Sequence, residues 1–173
     1  KRSATQALET IRLTGGRGHR FVVDGDIRKY FDSIDQGLLM KRVERRISDR
    51  RALKLLRQWL LAGVMEEGEV KTSVAGTPQG GVISPLLANI YLHDLDTRWQ
   101  AECAHLGKLV RYADDFVVLC RTAPAAQEAM RWLKEALGSL KLELHPDKTK
   151  IVELGVHKDG FVFLGCHFQL VRS

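Results

Sequence analysis

Asp114 and Asp115 stand side by side in Tyr112-Ala113-Asp114-Asp115, between the apolar runs Leu109-Val110 and Phe116-Val117-Val118-Leu119. That pattern predicts a hairpin with two carboxylates at its tip. Adjacent carboxylates repel and lose hydration when packed into a fold, and a divalent cation would relieve both costs. Oxygen donors are what magnesium prefers. A solvated acidic turn would be spelled the same way, so the pair needs further acids before it implies chemistry. Asp24 and Asp26 end the apolar run Phe21-Val22-Val23, and a strand end combines a rigid backbone with an accessible tip. Two residues apart, they face the same side of an ideal strand, and chemistry alone does not choose between them. Asp32 and Asp35 follow closely, and one of them suits a cap for a helix beginning near Gln36. Carboxylates from separate strands could share two ions roughly 3.5–4 Å apart, the arrangement used in phosphoryl transfer. One ion would lower the pKa of an attacking 3′-hydroxyl and the other would steady departing pyrophosphate.

Three further segments could serve such a centre. Gly76-Thr77-Pro78-Gln79-Gly80-Gly81 precedes Ser84-Pro85. Its glycines allow close backbone approach to a ligand, and Gln79 could touch base or sugar edges. It lacks the Gly-Lys-Ser/Thr ending of a Walker loop, and a plain loop before a helix would read the same way. His145-Pro146-Asp147-Lys148-Thr149-Lys150 offers a lysine that could donate a proton to leaving pyrophosphate, or is a basic surface turn. Phe161-Val162-Phe163-Leu164-Gly165 reads as an apolar strand with a tight bend, and as a core strand besides.

The elements that must hold these residues follow from periodicity and punctuation. Ala7, Leu8 and Ile11 predict a helix over 3–13, broken at Thr14-Gly15-Gly16-Arg17-Gly18. Leu38, Leu39, Val43 and Ile47 suit one helix; Leu53, Leu56, Trp59 and Leu60 suit a second, closed by Gly63. A hairpin is predicted within 64–75, around Glu66-Glu67-Gly68. Ser84 as cap and Pro85 in the first turn predict a helix to about Trp99. Thr122-Ala123-Pro124 opens another, ending near Gly138. Short strands are expected at 141–144, 149–154, 161–164 and 166–170. Strands alternating with helices, then a run of strands, predict an α+β fold with helices on one face of a sheet.

The chain's 173 residues suit one domain, and 45% hydrophobic with 28% charged residues is ordinary globular composition. No apolar run approaches the roughly 20 residues that span a bilayer, and the first residues lead into no signal-like segment; a soluble, cytoplasmic protein with no membrane partner is expected. The net charge of +6 makes polyanions plausible partners. Cys103, Cys120 and Cys166 form no CxxC pair, so neither zinc nor disulfides are indicated, and buried reduced thiols are expected.

The order of these pieces resembles the reverse transcriptases of group II introns and their bacterial relatives, over nearly the whole chain. Phe21 to Asp35 looks like the first catalytic block, an aspartate followed five positions later by an aromatic; this favours Asp26 as ligand and Phe31 as a gate against a ribose 2′-hydroxyl. GTPQGGVISPLLANIY (76–91) is similar to the template and nucleotide block, Tyr112 to Asp115 matches the YADD signature, Leu142 to Lys150 resembles the following block, and Phe161 to Gly165 is similar to the primer grip. The resemblance implies a right-hand polymerase palm, an antiparallel ferredoxin-like sheet backed by helices. It implies Asp26, Asp114, Asp115 and Lys148 as catalytic residues, with Asp26, Ile27, Asp114 and Asp115 holding two Mg2+ ions, for which Mn2+ substitutes. Ile27, Arg28, Lys29, Tyr30, Phe31, Gln79 and Gly80 would bind the nucleotide. Pro78, Gly81, Tyr112, Phe163, Leu164 and Gly165 would bind template and primer. The implied partners are an RNA template, a DNA or RNA primer, deoxynucleoside triphosphates and, for a longer parent, intron RNA. On this reading 1–173 is a palm with the tail of the fingers at Lys1 to Ile11, without thumb or maturase regions, and the missing surfaces favour self-association. An RNA-binding module serving splicing, and the palm of a CRISPR-associated or defence reverse transcriptase, are the alternatives.

Overall fold

The computed structural model describes residues 3–61, 64–66, 69–71, 83–156, 158 and 160–170. In chain order its elements are helix α1 (Ala4–Gly16), strand β1 (Phe21–Gly25), helices α2 (Tyr30–Ser33), α3 (Gln36–Glu44) and α4 (Arg50–Leu61), and strands β2 (Val64–Glu66) and β3 (Glu69–Lys71). Helix α5 (Ser84–Arg98) follows and runs into a π-helical turn, Trp99–Cys103. Strands β4 (Gly107–Tyr112) and β5 (Asp115–Cys120), helix α6 (Ala123–Ser139), and strands β6 (Lys150–Glu153), β7 (Phe161–Phe163) and β8 (Cys166–Phe168) complete it.

Local chemistry accounts for the helix starts. Ser3 and Gln6 form a reciprocal capping box on α1. The Leu38 amide donates to Asp35 at 2.8 Å, so Asp35 is the cap of α3. Asp49 accepts from the Arg51 amide at the start of α4, and Thr122 caps α6. Ser84 departs from expectation: it lies buried inside α5, and Ile83 is the capping position without a side-chain bond. Pro85 still sits in the first turn, where a helix has no amide bond to lose. Helix α1 also runs on through Gly15 and Gly16, since glycine tolerates helical angles and the turn is deferred to Gly18 at φ 88°.

The main sheet has the order β4-β5-β1-β6, every neighbour antiparallel. With α5 and α6 as crossovers this is the split βαβ arrangement of ferredoxin-like folds. Phe116 through Cys120 are all buried, and a strand buried on both sides needs cover on both faces. Val23, Phe116, Val118 and Cys120 pack on α3 to α6. Val22, Val117 and Leu119 pack on the other face against Ile11 of α1 and Phe161 and Phe163 of β7. The single helical face expected from sequence is therefore corrected: α1 and the β7–β8 hairpin cover the second face.

Other departures are local. Helix α3 stops at Glu44, and Ile47 packs on the core from a loop. The strand expected at 141–144 reduces to one bridge, Ile27 to Leu144, after Lys141 turns at φ 56°. Cys103 and Cys120 are buried, Cys120 with its thiol pushed up to about 11 by burial, whereas Cys166 is exposed. The β2–β3 pair forms as expected; Gly63, Glu67, Gly68 and 72–75 lie outside the described residues. Among the described residues, no helix is long and apolar enough to cross a membrane.

Candidate active site

The acids converge because two strands end together. β1 pairs antiparallel with β5 through Gly25 opposite Phe116, so the next residue, Asp26, emerges beside Asp115. Gly25 permits this closeness: a Cβ there would overlap the ring of the buried Phe116. The β4–β5 hairpin turns at Ala113-Asp114, between the pair Tyr112 and Asp115. Ala113 stands at φ 55°, the left-handed region that costs a non-glycine residue about 1 kcal/mol.

Electrostatics record the crowding. The carboxyl of Asp115 is raised above its ordinary range, first by desolvation and then by the charges of Asp114 and Asp26. Asp24 is raised by burial and by Asp115 and Asp26, against the opposing pull of Lys150. Asp115 thus feels Asp114 and Asp26, and Asp24 feels Asp115 and Asp26, at one end of the sheet. Among the described residues no three side chains are gathered closely enough to coordinate an ion as they stand. The donor set nonetheless fits a hard divalent cation: carboxylate oxygens only, on rigid strand ends, destabilised by mutual repulsion.

The segment after α6 fixes Asp26 from behind. The His145 amide donates to the Asp26 carbonyl at 2.8 Å, and the Thr149 hydroxyl lies 3.4 Å from both the Asp26 amide and its carbonyl. This places Lys148 Nζ 3.3 Å from Asp26 Oδ2, the lysine exposed and the aspartate one-third exposed. Lys148 therefore stands beside Asp26.

Other expected residues divide. Arg28 and Lys29 are exposed at the start of α2, Lys29 at φ 44°. Phe31 is half-buried, its ring tilted against Tyr30 at 5.3 Å. Tyr30 is buried and its hydroxyl donates to the Ala88 carbonyl at 2.5 Å. Burial raises the Tyr30 phenol far above its ordinary range. It ties α2 to α5 instead of presenting itself to a nucleotide. The Ile27 side chain is likewise buried, which leaves its carbonyl as its sole potential ligand atom. Tyr112 is exposed. Phe163 is buried in the second core, with Leu164 and Gly165 forming the β7–β8 turn at φ 49° and 75°; no hydrogen bond or ion pair joins them to the acids among the described residues. Pro78, Gln79, Gly80 and Gly81 lie outside the described residues.

One residue went unnoticed in the sequence. Arg111, almost fully buried, reaches from β4 to α5. Its Nε and Nη2 donate to Asp96 at 2.9 and 2.5 Å, while Nη1 donates to Asn89 Oδ1 at 2.9 Å and to the Ala113 carbonyl at 2.7 Å. Asn89 and Asp96 are two helical turns apart and share a face of α5. The acidic turn is thereby anchored to the same helix whose Ala88 carbonyl receives the Tyr30 hydroxyl. An arginine directly before Tyr112 was the available signal.

The profile of the reverse transcriptase (RNA-dependent DNA polymerase) family matches residues 2–168. Protein YkfC of Escherichia coli (strain K12) is 36% identical over 213 residues, aligned to all of this chain and 54% of that protein. The group II intron-encoded protein LtrA of Lactococcus lactis subsp. cremoris is 30% identical over 238 residues, again across the whole chain but 39% of the relative. The chain thus spans about half or less of these curated relatives. Among solved structures, telomerase from Candida tropicalis in complex with the TWJ fragment of telomeric RNA superposes with TM-score 0.76 at 12% identity, covering 98% of this chain and 32% of that one. At that identity the likeness speaks for the fold.

Proposed function

The chain belongs to the reverse transcriptase (RNA-dependent DNA polymerase) family, and from that premise we propose that it is the catalytic palm, with the tail of the fingers, of an intron-encoded enzyme that extends a primer with deoxynucleotides against an RNA template. The observation carrying this reading is the strand register that brings Asp26 beside Asp115, whose carboxyl is raised first by burial and then by the charges of Asp114 and Asp26. Family members generally use divalent metals. Here the carboxylates of Asp26, Asp114 and Asp115, with the Ile27 carbonyl, would hold them. When bound, two Mg2+ ions, or Mn2+ in their place, would acidify the primer 3′-hydroxyl and stabilise charge on the departing pyrophosphate.

The chain's own groups do the positioning. Arg28 and Lys29 offer exposed cations beside the acids, suited to the triphosphate. Phe31, held by Tyr30, would lie beneath the sugar and exclude a 2′-hydroxyl. Lys148, steadied by Asp26, would give a proton from Nζ to the leaving pyrophosphate. Gln79 and Gly80 would meet the incoming nucleotide, Pro78 and Gly81 the template, and Tyr112 with Phe163, Leu164 and Gly165 the primer side. Phe163 would act there through packing beneath the Leu164-Gly165 turn. Intron RNA is the proposed further partner of the longer protein.

Primer extension by the full-length gene product tests the reading. A labelled DNA primer on an RNA template should lengthen with deoxynucleotides and Mg2+, and stop on chelation. Tight RNA binding without extension would instead identify a binding module.

A further inference from the structure

Between Lys41 and Arg57 stand eight basic residues against two acids, Glu44 and Asp49, a net +6. The whole chain is also +6, so everything outside this segment balances to zero. The segment runs from the second half of α3 through the connecting loop into α4. Three of its cations are engaged within the fold: Arg42 with Asp94 at 2.8 Å, Arg45 with Asp94 at 3.6 Å, and Arg57 with Glu44. Lys41, Arg46, Arg50, Arg51 and Lys54 are exposed and make no ion pair among the described residues.

This placement works against the helix. Arg50 and Arg51 occupy the first turn of α4, which carries no acid, although the positive end of a helix dipole favours acids. The Asp49 cap offsets this only in part, by accepting from the Arg51 amide. Arg50 and Lys54 repel at a spacing of four, and Lys54 and Arg57 at a spacing of three. Local rules broken without gain to the fold point to an external partner. Arginine outnumbers lysine among these cations, and its planar fork suits phosphate oxygens.

We infer that the α3–α4 pair is a second polyanion surface that grips the sugar-phosphate backbone of folded RNA, away from the acids. The geometry separates the two. Arg42 meets Asp94 and stacks over Tyr91, whereas Arg111 meets Asn89 and Asp96. At 3.6 residues per turn these pairs lie on nearly opposite sides of α5. The five unpaired cations carry no aromatic among them, so the contact reads backbone, not bases. The inference rests on the proposed RNA-copying function for its choice of partner.

The test uses the full-length gene product with Arg46, Arg50, Arg51 and Lys54 each changed to Gln. Binding of a closed RNA stem-loop, which offers no primer terminus, is followed across KCl concentrations. Removing four phosphate contacts should lower the slope of log affinity against log salt by about three to four and weaken binding on the order of 10- to 1,000-fold. The single-turnover rate on saturating primer–template should hold, and the variant should melt no lower than the parent. An unchanged affinity and slope would overturn the inference, as would a variant that loses binding to phosphatidylserine vesicles but not to RNA. Parent protein that extends primers while the slope stays fixed defeats this inference alone; absent extension defeats the functional reading, and the slope remains informative.

Discussion

Asp115 illustrates a conflict between stability and proposed chemistry inside a single side chain, and Asp24 shares its electrostatics. Both carboxyls are raised above 3.8 in the folded chain. The fold therefore binds their protons more readily than the unfolded chain does. Their contribution to stability grows as pH falls from neutral through the raised values, and is complete below 3.8. Asp35 works the other way. Its carboxyl is lowered by Lys141 and the Leu38 amide, so its contribution is present above 3.8 and fades as pH falls through the lowered value. Asp115→Asn should raise the melting temperature of metal-free protein at neutral pH by roughly 1–3 °C, flatten stability against pH just above 3.8, and abolish extension. Calorimetry across pH, paired with an extension assay, checks both halves. Phe31→Ala should bring ribonucleotide incorporation up toward that of deoxynucleotides; an unchanged preference would remove the gate. Lys148→Ala should slow the single-turnover rate without weakening nucleotide affinity, and a rate that does not move would make it a surface residue held by Asp26.

Helix α5 is the element on which both acid-bearing segments hang, through Tyr30 to Ala88 and Arg111 to Asn89 and Asp96. Partners that stand behind a metal ligand typically contribute 10–100-fold. Arg111→Met should accordingly cost about that much in rate and shift the Mg2+ dependence to higher concentration, with Arg111→Lys restoring only part because one ammonium cannot span four acceptors. Tyr30→Phe should cost about 1 kcal/mol of stability and far less activity. These links explain what the sequence could carry. Asp114 and Asp115 stood out because they sit in a short local pattern of apolar strands and acids, whereas only the family resemblance favoured Asp26 over Asp24. Arg111 did not, because its acceptors lie 22 and 15 residues earlier, on a helix whose facing side only the folded chain reveals. Gly25 was hidden similarly, its need set by Phe116 across the sheet. The register distinguishes the two: Asp24 lies within β1 opposite Val117 and Lys150, while Asp26 follows the strand end.

At the scale of the molecule, the central strands β1 and β5 are largely buried and leave their ends as accessible ground, where Asp26, Asp114 and Asp115 lie. The helix starts and sheet strands followed from caps and apolar periodicity, whereas the second covered face required knowing that α1 returns across β4 and β5. Positive charge is set apart on α3–α4, across α5 from the acids. On the proposed reading, chemistry belongs to one end of the sheet and RNA capture partly to the helical layer. The most direct measurement is the single-turnover extension rate of full-length protein carrying Asp26→Asn, Asp114→Asn or Asp115→Asn, each at saturating RNA–primer and titrated Mg2+. Each variant should bind RNA normally yet lose more than the roughly 100-fold upper bound of an indirect partner. Extension near the parental rate by any one of the three would contradict a shared ion site.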